Sequence, residues 1–138
     1  MVDRLLIQRK ILLLDEKKAA LKSFALKTYK EFLKGPYPKA VEKLLQEMVE
    51  ICLDIGKHLI ADEGWEFANE SRDIFQRLAE KKVISKKCLK TMLKMVGFRN
   101  LVVHLYEQID SKIVYKIYQR HLGDFANFAK KIFHYLQK

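Results

Sequence analysis

Apolar residues recur at α-helical spacing along almost the whole chain, and that one pattern restricts it to a bundle of helices. Leu5, Leu12, Ala19, Leu26 and Leu33 stand seven apart, joined by Leu6, Leu13, Ala20 and Phe24. This predicts one long amphipathic helix over roughly residues 2–33, with a bundle-type seam. Gly35-Pro36-Tyr37-Pro38 ends it, because proline lacks a backbone donor and disfavours helix in the residue before it. A second helix is expected from about Lys39 to Ala61, with Val41, Leu44, Leu45, Met48, Cys52, Ile55 and Leu59 turned inward. Asp62-Glu63-Gly64-Trp65 reads as a loop, and a short helix from Ser71 to Glu80 buries Ile74, Phe75 and Leu78. Ser85 is placed to cap a fourth helix, and Asp110-Ser111 to cap a last one with Ile113, Val114, Ile117, Leu122, Phe125, Phe128, Ile132 and Leu136 along its stripe. No segment alternates with the period of a strand. The expectation is an all-α, up-and-down bundle of four long helices plus one short helix, forming a single domain over residues 1–138.

The surface of that bundle is basic. A net charge of +10 favours a polyanionic partner such as nucleic acid over an acidic one, although a lysine-rich soluble surface gives the same number. Cys52 and Cys88 are isolated and lie on predicted helices, which suits two small core residues in a reduced, cytoplasmic chain. Charges interrupt every apolar run near the N-terminus, so neither a signal peptide nor a membrane span is expected.

The fourth helix carries the anomaly. Projected at about 100° per residue, Cys88, Met92, Met95, Val96 and Val103 gather on one side and Arg99 falls among them. Lys86, Lys90 and Lys94 form a ridge on the other side, in the same sector as Gly97, Asn100 and His104. A charge on a core stripe is costly unless it is paired or faces a polar cleft. Either a carboxylate on a neighbouring helix pairs with Arg99, or the bundle is open there, where a second subunit meets it. Asn100 and His104 are i,i+4 neighbours, so the amide is placed to orient the imidazole. Arg99 and His104 are about 140° apart on a regular helix and do not point the same way.

The run Arg99, Asn100, Leu101-Val102-Val103, His104, Leu105, Tyr106, flanked by Met95-Val96-Gly97-Phe98 and Ile109-Asp110, resembles the signature of the HepT-like toxins of the HEPN superfamily. Val49–Ile60 and the helix start Ser71-Arg72-Asp73-Ile74-Phe75 extend the resemblance over most of the chain. The resemblance implies the toxin of a type VII-like toxin–antitoxin pair: a homodimeric, metal-independent endoribonuclease whose two motifs line one cleft. It implies as partner an MntA-type minimal nucleotidyltransferase that neutralises the toxin by adding AMP to Tyr106. In such an enzyme Arg99 would hold the phosphate, His104 would act as general base on the 2′-hydroxyl, and Asn100 would orient His104 or contact phosphate. Lys86, Lys90 and Lys94 would track the RNA backbone. The alternative is a non-catalytic helical module that presents substrate to a nucleotidyltransferase.

The remaining candidates read more plainly. Asp54 and His58 are i,i+4 on the second helix, either as a structural hydrogen bond or in a supporting role near the cleft. No metal site and no cofactor are expected, since no further ligand stands at helical spacing from them. His121, His134, Tyr115, Tyr118, Phe125, Phe128 and Tyr135 read as packing, subunit-seam or surface residues, and Trp65 as the pin of a loop.

Overall fold

The structure is a computed structural model that describes residues 1–104 and 109–138. All the secondary structure among these residues is helical: α1 (Arg4–Ser23), α2 (Tyr29–Phe32), α3 (Tyr37–Glu63), α4 (Ser71–Glu80), α5 (Lys86–His104), α6 (Ser111–Arg120) and α7 (Leu122–Leu136). At 27 residues α3 is about 40 Å long, and it packs against α1, α4, α5, α6 and α7. One face of α3 is lined by Val41, Leu45, Met48, Cys52, Ile55 and Leu59, all fully buried, so it is the axis of the core. Gly56 lets α4 come close, because a Cβ there would overlap the Ile74 side chain.

The helix ends follow local chemistry. Asp3 accepts the Leu6 N–H at 3.1 Å, Ser85 accepts the Cys88 N–H at 3.1 Å, and Asp110 accepts the Lys112 N–H at 2.9 Å. Gly64 closes α3 in the left-handed region at φ +70°, which glycine reaches without a Cβ clash.

Two of the expected long helices are interrupted. The 2–33 helix ends at Ser23, turns through Ala25 at φ +49°, and resumes as the four-residue α2. The turn is held from afar, since the Leu26 N–H donates to the Tyr118 hydroxyl of α6 at 3.1 Å. The last helix breaks at His121, whose carbonyl accepts the Asp124 N–H at 3.1 Å as α7 begins. Among the described residues, four long helices and one short one therefore become seven segments.

The seam of the first helix is also reassigned. Ile7, Leu14 and Leu21, again seven apart, are buried on α1, which packs against α3 and α7. Leu5 and Leu12 are each 59 % exposed, and Ala19 is exposed as well. Both stripes repeat every seven residues, and only the neighbouring helices select between them. No described helix is long and apolar enough to cross a membrane.

Candidate active site around Arg99

Helix α5 sets Arg99 at the edge of the core. Cys88, Met92, Met95, Val96 and Phe98 are buried along it, while Val103, expected among them, is 40 % exposed. The Arg99 side chain is 23 % exposed and reaches out between α5 and α3. Its Nη2 lies 3.6 Å from Glu50 Oε2, and its Nη1 donates to Asn100 Oδ1 at 3.2 Å. Among the described residues its Nε is a buried polar atom with no hydrogen-bond partner. The first explanation offered for this arginine therefore holds, since a carboxylate pairs with it, while the guanidinium also borders open space.

That space is a pocket of about 400 Å³ lined by Lys10, Glu50, Asp54, Lys57, Ser71 and Arg99, with exposed Leu13 at its margin. Three cations face two carboxylates, leaving an excess positive charge. Glu50, Asp54 and Lys57 stand at i, i+4 and i+7 on α3 and line this pocket with Arg99, and His58 at i+8 continues the polar stripe beyond it. Asp54 forms an ion pair with Lys10, and its other oxygen is 3.7 Å from His58 Nε2. The Asp54–His58 pair anticipated from spacing is thus the weaker of two contacts made by this carboxylate. Lys10 and Glu50 were not singled out in the sequence. Glu50 was findable as the extension of the Asp54–His58 stripe by one turn, whereas Lys10 comes from α1 and has no sequence signal.

The other expected residues lie around this pocket rather than in it. His104 is the last described residue of α5 and is exposed, with Leu101 and Val103 exposed beside it. Asn100 engages Arg99 through its Oδ1 instead of orienting His104. Tyr106 lies outside the described residues. Lys86, Lys90 and Lys94 are exposed along α5, and Lys94 borders a separate groove with Met95, Phe98, Ile113 and Lys116. Within one chain, then, the structure joins Arg99, Asn100 and the α3 stripe, and sets His104 and the lysine ridge apart from that pocket.

The groups read as structural behave so. Cys52 and Cys88 are buried, and burial raises both thiols, Cys88 to about 11. Tyr115, Tyr118, Phe125 and Phe128 belong to the core. His121 Nδ1 is 3.2 Å from Asp124 Oδ2, and His134 is exposed. Trp65 meets Tyr135 edge-on at 6.1 Å, and the Tyr135 hydroxyl donates to Glu63.

Residues 14–132 match the HepT-like family, described as ribonuclease HepT-like. Over 88 residues, 64 % of this chain, the sequence is 37 % identical to the mRNA nuclease HepT of Shewanella oneidensis, and the match spans 66 % of that relative's length. The fold superimposes on the tri-AMPylated Shewanella oneidensis HEPN toxin, solved in complex with its MNT antitoxin, at a TM-score of 0.86 with 29 % identity. That match covers 97 % of this chain and 99 % of the other. A toxin–antitoxin complex with AMP-PNP matches at a TM-score of 0.83 and 28 % identity, over 96 % of this chain and 98 % of that one.

Proposed function

Since this chain belongs to the HepT-like ribonuclease family, we propose that it is the toxin of a toxin–antitoxin pair: a metal-independent endoribonuclease acting as a homodimer in the cytoplasm. The observation that carries this reading is Arg99, a half-buried guanidinium with a buried, unsatisfied Nε and an open basic pocket before it. Burying a donor without a partner costs about 1–3 kcal/mol, which a purely structural arginine has no reason to sustain. Arg99 lines that pocket, and a phosphodiester entering it offers the guanidinium two oxygens as acceptors.

The reaction uses the nucleophile that RNA carries. His104 takes the proton of the 2′-hydroxyl, and the oxygen attacks the adjacent phosphorus while the bond from phosphorus to the 5′-oxygen breaks. Arg99 neutralises the extra charge of the pentacoordinate transition state, and Asn100, hydrogen-bonded to Nη1, steadies the guanidinium. The products are a 2′,3′-cyclic phosphate and a 5′-hydroxyl, the leaving oxygen receiving its proton from a second His104. Five residues on one regular helix keep Arg99 and His104 of a single chain apart, so a second subunit completes the site. Leu101 and Val103, exposed next to the motif, form the apolar surface that such a subunit would cover.

Regulation follows from charge. An AMP group on Tyr106, two residues after His104 in the sequence and added by a minimal nucleotidyltransferase, brings a phosphate's negative charge to the motif and repels the RNA backbone. Purified protein should cut RNA in the presence of EDTA, and a 2′-deoxy nucleotide at the cut site should resist. Full activity in a His104→Ala protein would eliminate the mechanism. Incubation with the cognate nucleotidyltransferase and ATP should leave AMP on Tyr106 by mass spectrometry, and AMP found only elsewhere would remove that assignment.

A further inference from the structure

A second pocket adjoins the one in front of Arg99. It measures about 410 Å³ and shares Asp54 and Lys57 with its neighbour, so the two form one trough along α3. Its character is different. Ile60, Trp65, Phe67, Ala68 and Ile74 make an apolar wall, with Asp54, Lys57 and His58 as its polar rim. The loop between α3 and α4 that carries Trp65 and Phe67 is tethered, because Arg77 Nε donates to the Glu66 carbonyl at 3.1 Å. Trp65 is fixed edge-on against Tyr135 and has Lys81 5.7 Å from its ring centroid. Phe67 is 78 % exposed on that tethered loop, a large aromatic ring held in water at the mouth of an apolar cavity.

We propose that this trough reads one nucleotide of the RNA: a nucleobase enters the apolar pocket and stacks on Phe67 beside Trp65, while Lys57 holds the phosphate that links it to the one at Arg99. Charge complementarity selects this occupant. An apolar protein segment would fill the apolar half but would leave the Arg99 and Lys57 charges unanswered, whereas a nucleotide offers an aromatic face and an anion at the right ends. Glu50, opposite Arg99, and His58, at the rim, are eight residues apart on α3, or about 12 Å. The stacked base therefore belongs to a nucleotide flanking the cut. Stacking on an aromatic side chain is sequence-tolerant and contributes about 1–3 kcal/mol per base, roughly 5- to 150-fold in affinity.

The inference rests on the ribonuclease reading for the phosphate step alone, and its test does not require cleavage. Trp65 is the only tryptophan in the chain, so its emission reports directly on the pocket. The full-length protein is titrated with an uncleavable, 2′-O-methylated oligonucleotide and with copies carrying one abasic position, moved along the strand. Wild type should show saturable quenching that weakens about tenfold when one particular position is abasic. Phe67→Ala, with its fold confirmed by circular dichroism, should bind the intact strand about tenfold more weakly and the abasic strand as wild type does. Equal affinity of both proteins for the intact strand would overturn the proposal. So would an unchanged RNA affinity combined with lost co-elution with the nucleotidyltransferase, which would make the pocket a protein-docking site. Base-dependent quenching without any Arg99-dependent cleavage would keep the subsite and end the ribonuclease reading instead.

Discussion

Replacing Arg99 by methionine separates a structural arginine from a functional one. Methionine keeps most of the unbranched stem and removes the guanidinium. Three contributions then change. The Glu50 pair at 3.6 Å is partly solvent-exposed and contributes roughly 0–1 kcal/mol. The hydrogen bond to Asn100 contributes about 0.5–1.5 kcal/mol. Against these losses, the unsatisfied Nε disappears, which returns about 1–3 kcal/mol. At the middle of each range the three nearly cancel, and at the extremes the net change stays within about 2.5 kcal/mol of zero, each 1 kcal/mol being about 4 °C in Tm for a domain of this size. Breaking a fully buried structural ion pair would instead cost about 3–5 kcal/mol. Urea denaturation at fixed protein concentration measures stability, and cleavage of a labelled RNA measures activity, which should fall by about 10²–10³. A variant destabilised by more than about 3 kcal/mol would show that Arg99 holds the bundle together, and the argument from its orphaned nitrogen would be wrong. The companion Glu50→Gln protein should bind RNA a few-fold more tightly, because the carboxylate competes with phosphate for the same guanidinium.

Three further outcomes follow from the geometry. Gly56→Ala should destabilise the fold by about 1–2 kcal/mol despite alanine's better helix propensity, and Ile74→Leu, which removes the β-branch the new Cβ would strike, should recover part of that loss in thermal unfolding. Changing Lys86, Lys90 and Lys94 together to glutamine should flatten the dependence of log affinity for single-stranded RNA on log salt by about 2, since each phosphate that a lysine neutralises adds about 0.7 to that slope; an unaltered slope would take the ridge out of the RNA path. Burial, followed by the hydrogen bond and charge of Glu63, raises Tyr135 to about 12 from its ordinary value of 10. The folded protein therefore keeps this proton after the unfolded chain has lost it, so the stabilisation is complete below pH 10 and fades as pH rises to 12. Stability measured across that window should fall more steeply for wild type than for Tyr135→Phe.

Much of the bundle was legible because helices declare themselves locally. The α3 stripe from Val41 to Leu59, the short α4, and the Ser85 and Asp110 caps each depend on residues within a turn or two of one another. Arg99 was legible for the same reason, as a cation on a stripe of apolar neighbours. The break after Ser23 was not, because the group that holds it, the Tyr118 hydroxyl on the Leu26 N–H, is 92 residues away. His121 likewise reads as one more position on a continuous stripe until its carbonyl and ring are seen engaging Asp124.

Sequence alone determined that the chain is helical, basic and built around an arginine that its own helix has no reason to bury. These properties follow from residue spacing and charge, which no partner helix alters. Tertiary structure decided which of two seven-residue stripes on α1 faces inward, that of Ile7 or that of Leu5, because both have the same period and only the surfaces of α3 and α7 distinguish them. It also decided what surrounds Arg99. Glu50 and Lys57 share one face of α3, which their spacing shows, but Lys10 of α1 and Arg99 of α5 meet them only through packing, which depends on contacts between distant segments and leaves no mark on local spacing.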